Sequence, residues 1–329
     1  MLDNLPERVG IFAKDLCGSS FDVRDSVQKA LDHKLKGSFI GNALKASPTL
    51  DRWELEDIRQ VAQESGITLG LQLGMLNPYR PDRSSDALKV GNGDLAKGLL
   101  MLAEAALQLG QPNVMLVVGM EEDRFNQSMA WSDQLAEVSS FLKGLEPDLR
   151  SLGSRVLIKT HEEITSWEVR RLLEELDSNL FGVALDPVNL IVRMEDPMAA
   201  AERLAGRIWQ VHVDDAHLVW NNRGYSRLLC PIGKGCIDWP ALITHISASD
   251  PNAWYWGEIH RAELETPFLN EGWFDAHPDN DIAEVATWIS KGKPLSESPL
   301  SLVGDIDERI GTVTRYLTRF AAELNQTTS

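Results

Sequence analysis

Short apolar runs recur along most of the chain and are separated by segments with apolar residues at helical spacing. Runs of four to eight apolar residues are typical of strands buried on both faces, as in parallel sheets. We predict strands at residues 8–13, 37–44, 67–73, 113–118, 155–159, 181–186, 208–212 and 254–258.

The segments between these runs predict amphipathic helices. Gly66 and Gly110 follow two of the helical patterns at the C-cap position, and Pro147 is expected to end a third. Asp196 followed by Pro197 is a favourable helix start, because an N-cap carboxylate precedes proline at the first helical position. Helices are predicted at residues 23–35, 53–64, 95–109, 133–145, 166–176, 196–204 and 239–246.

Strands that alternate with helices, without a run of hairpin strands, predict an α/β fold and a single (β/α)8 TIM barrel. A doubly wound open sheet is the alternative, but the first strand-to-helix turn lacks the GxGxxG signal. A chain of 329 residues is compatible with one barrel. We expect the barrel within residues 1–262, and a C-terminal helical extension, residues 263–329, that packs on the barrel or at a subunit interface.

The charge of the chain limits its partners. Lys and Arg number 32 against 49 Asp and Glu, a net charge of −17, which opposes binding to nucleic acid or to an anionic membrane. The sequence has no long apolar span and no signal-peptide pattern at its start, so we expect a soluble, cytoplasmic protein. Three cysteines form no metal-binding or disulfide pattern and are expected to be reduced.

Candidate chemistry lies where four successive predicted strands end. These strands deliver Lys159, Asp186, His212 and Glu258. In a barrel the carboxyl ends of the strands surround one site, so side chains that are distant in sequence meet around one substrate. The recurrence of charged residues at these positions predicts an enzyme.

The motifs LDPVN (185–189), VHVDDA (211–216) and PIGKGCIDW (231–239), followed by Glu258, occur in this order along the chain. In this respect the sequence resembles the xylose isomerase-like barrel family of sugar isomerases, epimerases and inosose dehydratases. The resemblance implies that Asp186, His212 and Glu258 bind a divalent metal ion (Mn, Mg, Co or Zn), and that Glu258 also moves a proton. Members of the family usually carry a fourth ligand, a glutamate, where this chain has Lys159.

Lys159 changes the local charge by two units relative to that glutamate. An ammonium about 4 Å from a unit positive charge is repelled by about 4 kcal/mol at an effective dielectric constant near 20, and a divalent ion roughly doubles this. Lys159 is either a neutral base, or points away while His161, Glu162 or Glu163 completes the metal shell, or replaces the metal as electrophile. We favour a metal site with a catalytic Lys159 near the substrate. The alternative without a catalytic role is a structural ion pair of Lys159 with Asp186 or Glu258.

Further residues near these strand ends are candidates for the site. Strand alternation places His161 on the same side as Lys159, as a second catalytic residue. Asn189, Arg193 and Glu162 are candidate substrate-binding residues. The Gly233-Lys-Gly235 segment is either a phosphate cradle or, more commonly, a turn that needs positive φ.

The resulting hypothesis is a metal-dependent isomerase or epimerase of a sugar, keto-sugar or polyol that acts through an enediolate. A lyase that uses the same enolate is the alternative within enzymes, and Lys159 favours it slightly because a cation helps an oxygen to depart. A non-catalytic carbohydrate-binding barrel is the third possibility. We expect a small carbohydrate substrate. By analogy with other barrels, we also expect a homodimer or homotetramer.

Overall fold

A computed structural model of the chain describes residues 2–259, 263–294 and 306–327. Within these residues, eight parallel strands close into a barrel in the order β1-β10-β7-β6-β5-β4-β3-β2. The barrel strands are β1 (Val9–Phe12), β2 (Gly37–Gly41), β3 (Thr68–Met75), β4 (Asn113–Val117), β5 (Arg155–Lys159), β6 (Phe181–Leu185), β7 (Ile208–Val213) and β10 (Trp254–Gly257). The predicted (β/α)8 barrel is confirmed.

Helices connect the strands over the outside of the barrel. The α-helices are α1 (Ala13–Cys17), α2 (Val23–Asp32), α3 (Arg52–Glu64), α4 (Ser85–Val90), α5 (Leu95–Gln108), α6 (Glu121–Arg124), α7 (Trp131–Leu152), α8 (Ser166–Glu175), α9 (Pro187–Leu190), α10 (Pro197–Arg203), α11 (Trp239–Ser249), α12 (Ile282–Lys291) and α13 (Ile306–Thr327). Short 3-10 helices cover Leu2–Arg8, Ala43–Lys45, Pro81–Ser84, Ile191–Arg193 and Phe274–Ala276.

Helix α7 does not end before Pro147, as the sequence pattern predicted, but contains it. An interior proline removes one backbone hydrogen bond and costs about 3 kcal/mol. The apolar face of α7 continues past the proline, since Leu145 and Leu149 are both buried. Each buried leucine contributes about 1.5–3 kcal/mol, so continued packing offsets the cost. The helix ends instead at Gly153, which has a φ of 78°.

An antiparallel hairpin follows β7, where the sequence pattern had predicted no hairpin strands. Its strands, β8 (Asp215–Asn221) and β9 (Gly224–Cys230), pair along their whole length, and β11 (Leu264–Thr266) adds to β9. Gly224 has a φ of 152°, and a Cβ atom there would lie 2.2 Å from the carbonyl oxygen of Thr266. This glycine therefore permits both the tight turn and the close approach of β11.

Large aromatic side chains fill the barrel interior. Trp256 is fully buried and forms a cluster with Phe12, Phe39, Met115, Leu157 and Ala184. A Cβ atom on Gly10 or Gly37 would lie 2.2 or 2.6 Å from the Trp256 ring, so these two positions make room for it. The interior is thus a packed core that supports the polar residues at the carboxyl ends of the strands.

Part of the predicted C-terminal extension lies against the barrel. Helix α12 lies within this segment and begins after the N-cap residue Asp281. Helix α13 contacts β1, β10 and the 3-10 helix Leu2–Arg8. Its Val313 packs beside Gly257, and both oxygens of the buried Asp214 accept hydrogen bonds of 2.7 Å from Nη2 of Arg309. The division of the chain at residue 262 remains a prediction.

Candidate active site

Four of the sequence-predicted residues meet at the carboxyl rim of the barrel. Lys159 is the last residue of β5, Asp186 follows β6, His212 lies in β7 and Glu258 follows β10. All four side chains are buried. Asp186, His212 and Glu258 each present a nitrogen or oxygen atom within 4.8 Å of the others. The parallel strands therefore bring together groups that are up to 99 residues apart in sequence.

Lys159 lies between the two carboxylates. Its Nζ donates a hydrogen bond of 2.7 Å to Oε2 of Glu258 and is 3.0 Å from Oδ2 of Asp186. Burial opposes the charged form, but the negative charges of Glu258 and Asp186 outweigh it and raise the pKa of Lys159 above its ordinary value. Lys159 is therefore an ammonium group. A lysine that points away from the site does not agree with this geometry, and the raised pKa favours the ammonium form over a neutral base.

His212 contacts the same carboxylate as Lys159. Its Nδ1 lies 2.7 Å from Oε2 of Glu258. Burial and the nearby Lys159 ammonium lower the pKa of His212, which favours the neutral ring. Since a carboxylate oxygen accepts, a neutral ring donates its Nδ1 proton to Glu258 and keeps a lone pair on Nε2. Nε2 is buried and has no hydrogen-bond partner within the described part of the chain, so it can accept a bond from a ligand hydroxyl.

Lys14 and Arg227 belong to the site although sequence reasoning did not select them. Nζ of Lys14 is 3.1 Å from Oε1 of Glu258, and its side chain is 46% exposed, which makes it a cation on the solvent side of the cluster. Asn189 donates a bond of 2.8 Å to Oδ2 of Asp186 and accepts one of 2.8 Å from the buried Arg227. Arg227 therefore holds Asn189 in place beside Asp186.

His161 forms a second pair next to this cluster. Its Nδ1 is 2.7 Å from Oε2 of the buried Glu163, whose Oε1 accepts a 3.0 Å bond from the backbone N–H of Gly119. Burial opposes protonation of the ring, but the Glu163 carboxylate raises the pKa of His161. The ring itself is partly exposed, so the dyad presents a proton donor towards solvent.

The other two predicted substrate-binding residues, Glu162 and Arg193, have their described contacts outside the Lys159 cluster. Glu162 is partly exposed, and its charge acts on the Arg227 guanidinium. Arg193 is buried, 2.9 Å from a carboxylate oxygen of Glu121 and 3.0 Å from Nε2 of His277. Among the described residues, these contacts place Arg193 in a network separate from Lys159.

The Gly233-Lys-Gly235 segment binds a carboxylate of the protein itself. Oδ2 of Asp215 accepts hydrogen bonds from the backbone N–H groups of Gly233 at 2.9 Å and Gly235 at 3.0 Å. Gly233 has a φ of 77°. This agrees with the turn interpretation rather than with a phosphate cradle, because Asp215 uses the N–H groups that a phosphate would need.

A divalent metal fits the donor types of this site but not their hydrogen bonds. Asp186, His212 and Glu258 are suitable oxygen and nitrogen ligands that lie close together. However, a ligand must direct a lone pair at the metal. Here the ammonium of Lys159 lies between the two carboxylates, although His212 keeps a lone pair on Nε2. In this arrangement the residues present do not fit a bound divalent ion.

Comparison with known proteins identifies the type of barrel. Residues 30–291 match the family described as "Xylose isomerase-like TIM barrel". A 3-oxo-isoapionate decarboxylase from Pectobacterium atrosepticum is 25% identical over 145 residues, 42% of this chain and 52% of that protein. The chain spans about half the length of the curated relatives it matches.

Solved structures share the fold at low identity. An L-ribulose 3-epimerase superposes with a TM-score of 0.64 at 12% identity, covering 98% of this chain and 96% of that chain. The IolI protein, with a bound zinc atom, gives a TM-score of 0.60 at 17% identity, covering 85% of this chain and 99% of that chain. No helix in the described ranges is both long and apolar enough to cross a bilayer.

Proposed function

Because the chain belongs to the xylose isomerase-like TIM barrel family, a family of sugar-modifying enzymes, we propose that it isomerises or epimerises a keto-sugar or related polyol through an enediolate. The observation that carries this proposal is the buried cluster in which the Lys159 ammonium contacts the carboxylates of Glu258 and Asp186. A base beside a fixed positive charge is what removal of a proton next to a carbonyl group requires.

Glu258 and Lys159 each have a step in this reaction. The Glu258 carboxylate takes a proton from the carbon next to the substrate carbonyl. The electron pair of that C–H bond forms the enediolate, and its oxyanion pairs with the Lys159 ammonium. Return of the proton to the neighbouring carbon gives the isomer, and return to the opposite face gives the epimer. Proton transfer by a positioned group contributes about 10²- to 10⁴-fold, and one oxyanion donor contributes about 10²- to 10³-fold.

His161 supplies the second proton-transfer group in this proposal. The buried Glu163 lies 2.7 Å from the ring and raises its pKa, which favours the protonated form of His161. A protonated imidazole delivers a proton to the substrate oxygen that becomes a hydroxyl group. Asn189, beside Asp186, and Glu162 are proposed to bind substrate hydroxyl groups.

A lyase is the second candidate, and one contact favours it. Lys14 adds a second ammonium at Glu258, so two cations contact this carboxylate. An epimerase that uses two carboxylate bases would instead need a second anion near the substrate. Elimination of a β-hydroxyl group and loss of carbon dioxide both pass through an enolate that such cations stabilise. The relative named as a decarboxylase is consistent with this chemistry.

Exchange in heavy water distinguishes these functions. The purified protein is incubated with a panel of keto-sugars and keto-acids in D2O, and the products are followed by NMR and mass spectrometry. Deuterium incorporation with an isomeric product supports the isomerase, and an unsaturated or decarboxylated product supports the lyase. Saturable binding without exchange or product would contradict both, and would indicate a carbohydrate-binding protein. Glu258→Gln is the control, because it removes the proposed base with little change in size.

A further inference from the structure

We propose that the Lys159 ammonium replaces the divalent metal in this barrel, so that the chain works without a metal ion. The catalytic role of that ammonium rests on the proposed function, whereas its effect on metal binding does not. The inference starts from position: Nζ of Lys159 is 2.7 Å from Glu258 and 3.0 Å from Asp186, so it lies between two of the three candidate metal ligands.

Hydrogen bonds occupy Oδ2 of Asp186 and Oε2 of Glu258 in the cluster, whereas Nε2 of His212 has no partner among the described residues. Oδ2 of Asp186 is shared by Lys159 and Asn189, and Oε2 of Glu258 by Lys159 and His212. A metal held by these two oxygens would have to displace the Lys159 ammonium. Breaking these buried contacts costs free energy that the metal must offset.

Among the described residues, two ammonium groups offset the charges of the two carboxylates without a metal. The carboxylates of Asp186 and Glu258 carry two negative charges, and the ammonium groups that contact them, Lys159 and Lys14, carry two positive charges. A divalent ion would add positive charge beside the Lys159 ammonium. By contrast, a glutamate at position 159 would supply a third carboxylate and turn the repulsion into attraction.

This reasoning makes Lys159→Glu the decisive variant. It should create a site for one divalent ion, formed by residue 159 together with Asp186, His212 and Glu258. Because the exchange reverses a unit charge beside a divalent ion, we expect Mn²⁺ to bind at least about 100-fold more tightly than to the wild type. Lys89→Glu is the matched control, since Lys89 is exposed on helix α4 and the same charge change there should create no site.

Binding is measured by titrating MnCl2 into metal-free protein in a calorimeter, with electron paramagnetic resonance to count bound Mn²⁺. We expect one tight Mn²⁺ site in Lys159→Glu, and we expect the double variant with His212→Ala to lose it. The wild type and Lys89→Glu should have no Mn²⁺ site that depends on His212. One tight Mn²⁺ per wild-type chain that His212→Ala abolishes would overturn the proposal. So would a folded Lys159→Glu variant that gains no site.

Lys159→Met keeps the test decisive if Lys159→Glu does not fold, as judged by circular dichroism. It removes the ammonium between Asp186 and Glu258, so it should gain Mn²⁺ binding that depends on His212, and absence of that gain would overturn the proposal. These outcomes are independent of the proposed reaction. If no substrate exchanges deuterium, the proposed reaction is refuted and the metal result is unchanged. If the wild type binds a metal ion at this site, the proposed replacement of the metal is refuted and the proposed reaction is not.

Discussion

Replacing Lys159 by methionine removes the ammonium that holds the two carboxylates together while keeping the length of the side chain. Ligand atoms of Asp186 and Glu258 lie within 4.8 Å of each other. Two unit charges at that separation repel by about 3 kcal/mol at an effective dielectric constant near 20. Loss of one member of a buried ion pair costs about 3–5 kcal/mol. We therefore expect a loss of folding stability of this order at neutral pH.

The same substitution should affect the reaction more than substrate binding. The ammonium interacts with charge that develops only as the proton leaves, so its loss should lower kcat by about 10²- to 10³-fold with a smaller change in KM.

Urea unfolding gives the stability change, and deuterium exchange into the substrate gives the rate. Lys14→Met is the matched control: it removes an ammonium that contacts the same Glu258, but its side chain is 46% exposed. Contacts of this type contribute at most about 1 kcal/mol. The stability loss should therefore be clearly larger for Lys159→Met than for Lys14→Met.

An exchange rate for Lys159→Met within threefold of the wild type would remove the ammonium from the reaction. Equal stability losses in the two variants would show that the contacts of Lys159 with Asp186 and Glu258 do not hold the cluster together. Either result would refute the reasoning from which the role of Lys159 follows.

Three further predictions follow from other contacts. Glu163→Gln removes the carboxylate that raises the pKa of His161, so the alkaline limit of activity in a pH–rate profile should move to lower pH. The same raised pKa means that the pair stabilises the fold fully below about pH 6.5 and loses that contribution as pH rises through the raised pKa. An unchanged alkaline limit would exclude His161 as the acid. Arg309→Met should lower the free energy of unfolding by about 3–5 kcal/mol, because Arg309 donates to both oxygens of the buried Asp214; a change under about 1 kcal/mol in urea unfolding would contradict this. Dialysis against EDTA should leave the wild-type exchange rate within twofold, and a loss restored by Mn²⁺ would disprove metal-free chemistry.

The barrel and the convergence of its four charged strand ends follow from sequence because both depend on local patterns. Apolar runs identify strands, and in parallel strands the last residue of each run lies at the same rim. Lys159, Asp186, His212 and Glu258 meet for this reason. Lys14 could have been predicted in the same way, because it directly follows the first predicted strand and so lies at the same rim.

Other features depend on contacts that a local pattern does not contain. The hairpin after β7 is largely buried on both strands, so it lacks the alternation by which an exposed hairpin is recognised. Arg227 lies on that hairpin, and its contact with Asn189 could not be inferred without it. The continuation of helix α7 through Pro147 likewise depends on tertiary packing, which outweighs the local preference of proline.

An ammonium and a divalent metal would not select the same substrates. A metal can bind the carbonyl and an adjacent hydroxyl oxygen together, which holds an α-hydroxyketone in the plane needed for enediolate formation. An ammonium has three N–H donors, and Lys159 directs two of them to Glu258 and Asp186, which leaves one for a single substrate oxygen. Orientation of the substrate must then come from neighbouring groups such as Asn189, His161 and the lone pair on Nε2 of His212. Replacement of the metal by lysine would thus transfer selectivity from chelation to the hydrogen bonds around the barrel rim.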